Sequence, residues 1–278
     1  MNAQVLTVSS KGQISLPVNI RKLLSIETGD KLVAYASGDA IMLKALKLPT
    51  IEEFEDALNE AINEDMVVIN LLDILGENAK EEEIVEGMEA ESEEDTEEGI
   101  EYDEHVWLSL KNTKLLCKVI ADELSKLDAS NSELYSNNVK LYIEQLDMLD
   151  KEYEESVEKA AYKTLVFGDR FPFRYMTDDY NIDYYAAFAG CSSESEASFE
   201  TITFLADKVD ELGIKSIMQI ETSDGKIAGT IKDATKDKNQ NILTLDSMQS
   251  VSARDIEAGV NYIDIMKSNL DVLNEAIN

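Results

Sequence analysis

Apolar and polar residues alternate with a period of two over residues 4–10, QVLTVSS, and again over 14–17, ISLP. Both stretches predict short strands. Lys11-Gly12-Gln13 supplies the turn between them, and Pro17 closes the second. Residues 18–24, VNIRKLL, predict one short helix. Two further strands, LVAYAS and AIMLKAL, are set off by turns at Gly29-Asp30 and Gly38-Asp39. Strands this short and few cannot close a stable core alone, whereas two copies interleaving their hairpins could.

The period then changes. Residues 48–65, LPTIEEFEDALNEAINED, predict an amphipathic helix with Thr50 as N-cap and Glu53 completing a capping box. MVVINLLDIL predicts a buried strand running into a short helix. A helix follows over 111–126. A longer one over 130–161 carries Leu134, Val139, Tyr142, Leu146, Leu149, Tyr153 and Val157 at helical spacing. TLVFG, DYYAAF, SIMQIE and ILTLD are short apolar runs, each followed by a helical stretch. Such alternation predicts an α/β lobe with a parallel sheet covered on both faces and joined to a long connecting helix.

Charge sharpens the division. Residues 1–47 hold Lys11, Arg21, Lys22, Lys31, Lys44 and Lys47 against Glu27, Asp30 and Asp39, while the whole chain carries −32. A basic head on an acidic body predicts that any grip on a polyanion is local. Residues 81–104 concentrate fourteen acidic side chains without periodicity. That stretch predicts a loose loop, solvating or attracting cations. The divisions expected are 1–48, a junction with the acidic loop over 49–104, and the lobe 105–278. The opening MNAQVLTVSSKGQ has no basic, apolar and cleavage regions of a leader, so a cytoplasmic protein is expected. No run is long and apolar enough to predict a membrane span. Cys117 and Cys191 are expected to be small buried apolar residues.

Ligands of parallel sheets sit at the carboxyl ends of strands. Asp169 follows TLVFG, Glu221 ends SIMQIE, Asp246 ends ILTLD, and His105, the one histidine, opens the lobe. An imidazole with carboxylates is a donor set for a divalent metal. A nucleophile–base pair and a phosphate-cradling glycine loop are missing, so an enzyme is not expected.

The run TVSSKGQISLPVNIRKLLSIETGDKLVAYASGDAIMLKAL resembles the AbrB/MazE-like swapped-hairpin DNA-binding domain, notably at Ser9, Lys11-Gly12-Gln13, Ile20-Arg21-Lys22 and Gly29-Asp30-Lys31. The resemblance implies a small all-β barrel shared by a homodimer, with Lys11, Arg21, Lys22 and Lys31 meeting DNA.

A second resemblance covers about residues 54–278. DEHVWLSLKN, the long helix, FGDRFPFRYMTDDYNIDYYAAFAGCSSESEASFETI and LDSMQSVSARDIEAGVNYIDIM are similar to the C-terminal part of the zinc/manganese ABC-transporter solute-binding proteins. It implies zinc, with manganese as second choice, bound by His105, Asp169 and Asp246, with Glu221 on a further acidic family position. Residues 54–77 resemble only the last helix and strand of that family's N-terminal lobe. Together these features predict a cytosolic DNA-binding transcriptional regulator whose metal-binding lobe senses zinc or manganese. The alternative is a metal-binding protein of a zinc/manganese ABC transporter, or a truncated relative of one. A third reading is a fusion relic without metal function.

Overall fold

The structure is a computed structural model. It describes residues 66–89, 102–190 and 196–278, the helical residues 21–22, and the backbone of 32–37 and 40–45. The chain divides into two compact units, Met1–Val67 and Val68–Asn278. In the first, β1 (Leu32–Ser37) and β2 (Ala40–Ala45) pair antiparallel, with Ser37 opposite Ala40 at the turn. This is the hairpin expected of LVAYAS and AIMLKA. The strands expected over 4–10 and 14–17, the helix over 48–65, and Lys11, Lys31 and Cys191 lie outside the described residues, as does most of the helix expected over 18–24.

The second unit is the α/β lobe that the apolar periodicity predicts. A short helix α1 (Leu71–Leu75) precedes α2 (Leu110–Leu127) and the long α3 (Ser132–Glu158). Four strand–helix steps follow: β3 (Thr164–Phe171), α4 (Arg174–Tyr180), β4 (Asp183–Ala189), α5 (Phe199–Leu212), β5 (Ser216–Ile220), α6 (Lys226–Ala234) and β6 (Asn241–Leu245). The chain ends in α7 (Ala253–Glu257) and α8 (Tyr262–Ile277). The sheet order is β4-β3-β5-β6 and every pairing is parallel.

Two apolar layers flank the sheet, which is why its strands read as near-continuous hydrophobic runs. On one face α3 and α8 pack Leu146, Leu149, Tyr153, Leu270 and Leu273 against Leu165, Phe167 and Met218. On the other, α5 and α6 pack Leu205, Val209, Ala228 and Ile231 against Val166, Ala187 and Ile217. Tyr153 is fully buried and spends its hydroxyl on the Met266 carbonyl at 2.6 Å, which satisfies the one polar atom it takes into the core. Its ring stacks on Tyr180 with centroids 5.1 Å apart.

Three expectations differ from what is observed. Residues 66–70 are not a buried strand: they carry no regular structure, and Met66, Val67 and Val68 are exposed. An extended stretch becomes a strand only when another strand takes its backbone hydrogen bonds, and among the described residues none does so. The helical stretch after ILTLD, expected as one helix from about Ser252 to Ala276, is two, α7 and α8, because the Asn261 side chain accepts from the Asp264 N–H and starts a new helix. Part of the acidic stretch is ordered. The Glu89 N–H donates to the Ala187 carbonyl at 3.0 Å, and Glu89 forms a parallel bridge to Phe188, so the segment covers the outer edge of β4. Residues 90–101 lie outside the described set.

Close approach between layers explains Gly168 on β3. A Cβ there would lie 2.5 Å from the Ala228 Cα of α6. Gly229, one residue on, would carry a Cβ into open space. Gly168→Ala is therefore expected to destabilise the lobe by about 1–3 kcal/mol, by forcing α6 off the sheet. Gly229→Ala is expected to be neutral or stabilising by up to about 1 kcal/mol. Urea unfolding of the two variants checks the contrast.

Candidate metal centre

His105 stands just ahead of a 3-10 turn, Val106–Leu108, and is 1% exposed. A buried imidazole must have its ring nitrogens satisfied. Asp103, itself 3% exposed, does half of this. Its Oδ1 accepts the His105 backbone N–H at 2.8 Å and faces Nδ1 at 3.0 Å. Asp103 is fixed in turn: its N–H donates to the Lys80 carbonyl at 2.8 Å, and its carbonyl accepts the Tyr175 hydroxyl at 2.9 Å. A proton held on Nδ1 by a carboxylate leaves the lone pair on Nε2, the arrangement seen for metal-binding histidines. Among the described residues, Asp103, Glu104 and His105 form the group of donors close enough to share a cation, within 4.8 Å of one another. With Asp103 committed to Nδ1, Nε2 is the ring nitrogen left for a ligand.

The other expected donors stand at neighbouring strand ends but outside that group. The β3 ladder shifts register between Phe167 and Arg170, a bulge that turns Asp169 out of line. Asp169 is buried; its Oδ1 accepts from the Arg170 N–H at 2.8 Å and its Oδ2 from the Ile220 N–H at 3.4 Å. Glu221 receives the Ser247 N–H at 2.8 Å and the Ser247 hydroxyl at 2.9 Å. Asp246 accepts the Met248 N–H at 2.7 Å. Burial pushes the Asp246 carboxyl above its usual range, the Met248 N–H opposes this, and Glu221 and Asp255 add to it by repulsion.

Residue types alone did not single out two other side chains. One is Asp103, whose sign was its place two residues before the histidine. The other is Gln249, whose amide nitrogen meets His105 Nε2 at 2.5 Å. A neutral amide carries no charge or pattern to mark it in advance. Gly190 crowds the ring's other flank; a Cβ there would lie 3.0 Å from His105 Cε1. Trp107 braces the site, its ring centroid 5.5 Å from the imidazole and its Nε1–H donating to the Ser247 carbonyl at 3.0 Å.

Of the residues expected to meet DNA, Arg21 is half-buried and Lys22 exposed, in a helical stretch of the first unit. Residues 33–276 match the family model described as "Zinc-uptake complex component A periplasmic". The chain belongs to this family. It is thereby not an enzyme, and the expected divalent metal accords with the family and with the Asp103–Glu104–His105 group. A second model, "Antidote-toxin recognition MazE, bacterial antitoxin", matches residues 5–50.

The chain is 31% identical over 175 residues to the high-affinity zinc uptake system protein ZnuA of Bacillus subtilis, covering 63% of this chain and 53% of that one. It is 32% identical over 175 residues to the zinc-binding lipoprotein AdcA of Streptococcus pneumoniae, covering 63% of this chain and 34% of that protein. It thus spans about half the length of one relative and a third of the other. Among solved structures, the metal-dependent lipoprotein YcdH of Bacillus subtilis superposes with a TM-score of 0.62 at 26% identity, over 82% of this chain and 77% of that one. The Zn(II)-bound ZnuA-like domain of Streptococcus pneumoniae AdcA gives 0.53 at 30% identity, over 63% and 64%.

These matches overturn several expectations. A cytosolic DNA-binding transcriptional regulator does not fit a chain that is matched over residues 33–276 by a periplasmic uptake component. DNA and a homodimer through the N-terminal domain fall with it as partners, and so does a cytoplasmic location, since the relatives are described as periplasmic or as lipoproteins. The DNA-binding expectation rests on residues 1–47 and the cytoplasmic one on the opening MNAQVLTVSSKGQ, and the family match over residues 33–276 outweighs both.

The raised carboxyl of Asp246 has a measurable sign. Folding disfavours its charged form, so the penalty is full at neutral pH. It fades as pH falls through the raised value and vanishes below the usual carboxylate range. Metal-free Asp246→Asn, which keeps an oxygen for the Met248 N–H, is expected to be more stable than wild type at neutral pH. Urea unfolding of both across a pH series should show the two converging in acid.

Proposed function

We propose that this chain binds a divalent transition metal, zinc in preference to manganese, as the solute-binding component of an ABC uptake system, on the outer side of the cytoplasmic membrane. The observation that carries this reading is His105: buried, with Nδ1 on the Asp103 carboxylate and Nε2 directed to the side of the sheet where Gln249 and the strand ends lie. A backbone carbonyl would satisfy Nδ1 of a histidine kept for packing; a carboxylate there also raises the basicity of Nε2, which suits a metal ligand. Asp169, Asp246 and Glu221 are the candidates for further donors; oxygen ligands beside one imidazole suit zinc and also admit manganese. Membership of the zinc-uptake family supports the same assignment.

The same proposal has an organisational side. Residues 1–48 form an AbrB/MazE-like module, 49–104 a junction with the acidic stretch, and 105–278 the metal lobe. The match over residues 5–50 and the β1–β2 hairpin support the first part. The bond from the Asp103 N–H to the Lys80 carbonyl puts the base of the acidic stretch beside the histidine, where carboxylates raise the local cation concentration.

Zinc titration of the metal-stripped protein against a competing chromophoric chelator tests the assignment. Wild type is expected to take up one zinc. His105→Ala should weaken it by more than about 100-fold, and Asp103→Ala by about 10–100-fold, since it removes the group that orients the ligand. Equal affinity of wild type and His105→Ala would refute the reading.

A further inference from the structure

Gln249 lies at the one ring nitrogen that a metal can use. Its side chain comes from the 246–249 turn, which is held at three points. The Asp246 carboxylate takes the Met248 N–H at 2.7 Å, Glu221 takes the Ser247 N–H at 2.8 Å, and the Ser247 carbonyl takes the Trp107 indole N–H at 3.0 Å. Met248 adopts a left-handed φ of 61°, an unusual conformation for a residue with a side chain. The turn after this kink brings the Gln249 amide against His105 Nε2. The backbone of the turn is therefore fixed, while Gln249 itself is exposed and its side chain free to rotate.

Because Asp103 holds the proton on Nδ1, Nε2 can only accept, and the Gln249 amide N–H donates to it. A metal ion and this N–H compete for the same lone pair. We propose that Gln249 is a displaceable plug on the metal site: its amide caps His105 in the metal-free protein, and a metal enters only after that hydrogen bond opens. The plug rests on the metal-binding reading and adds how the site is regulated. It makes capture slower without altering the site that remains once the amide has swung out.

A single hydrogen bond of this kind contributes enough to change a rate by about 2- to 10-fold. Stopped-flow mixing of metal-free protein with Zn2+, followed by release into excess chelator, separates association from dissociation. Gln249→Ala is expected to raise the association rate by about 2- to 10-fold and leave dissociation within about 2-fold. Gln249→Met, which fills the space without an N–H donor, should associate as fast as Gln249→Ala. An unchanged association rate in both variants overturns the plug. So does faster dissociation at constant association, which would make Gln249 a holder of the metal. His105→Ala is measured alongside. Zinc binding that survives its loss would remove the metal reading and the plug together, whereas binding that needs His105 but ignores Gln249 removes the plug alone.

Discussion

One carboxylate sets the geometry of the lobe's working end. Asp103 Oδ1 takes both N–H groups of His105, at 2.8 and 3.0 Å, in a place from which water is excluded. Burying an imidazole N–H without such a partner would cost about 1–3 kcal/mol. Burying it with one fixes the tautomer, the ring orientation and the accepting nitrogen together. The elements around it serve that pair. Tyr175 from α4 and the Lys80 carbonyl hold Asp103, and Trp107 ties the 3-10 turn after His105 to the turn after β6.

The sheet contributes what a histidine on a loop lacks. Parallel strands bring their carboxyl ends to one side, so residues as distant in the chain as Asp169, Glu221 and Asp246 come near a common region. Hydrogen bonds between them and the backbone then hold the turns in place. Asp169 receives the N–H of Ile220, the residue before Glu221, and Glu221 receives Ser247, the residue after Asp246. The strand ends are thus laced to one another through side chain–backbone bonds.

Much of the lobe could be read directly from residue order. The strands TLVFG, DYYAAF, SIMQIE and ILTLD, and the long helix carrying Leu146, Leu149, Tyr153 and Val157, follow from apolar runs and helical spacing. Both signals are local and survive into the fold. His105 was legible because its residue type is rare and its place opens the lobe. Residues 66–70 were misjudged because an apolar extended run says nothing of whether a neighbouring strand exists. Gln249 escaped notice because its importance lies in a contact across 144 positions of chain, made by an uncharged side chain at the end of a kinked turn.

The base of the acidic stretch has a consequence for how this protein can change over generations. Glu81 and Tyr102 form an antiparallel bridge, and the Asp103 N–H meets the Lys80 carbonyl, so the chain leaves and returns through a closed clamp. Inside that excursion Glu89 is bridged to Phe188 on the sheet edge and Glu83 is paired with Arg174, so these two positions are not free to drift. The carboxylate that orients the imidazole follows directly after the clamp, so any change in the excursion must leave the Glu81–Tyr102 pairing closed.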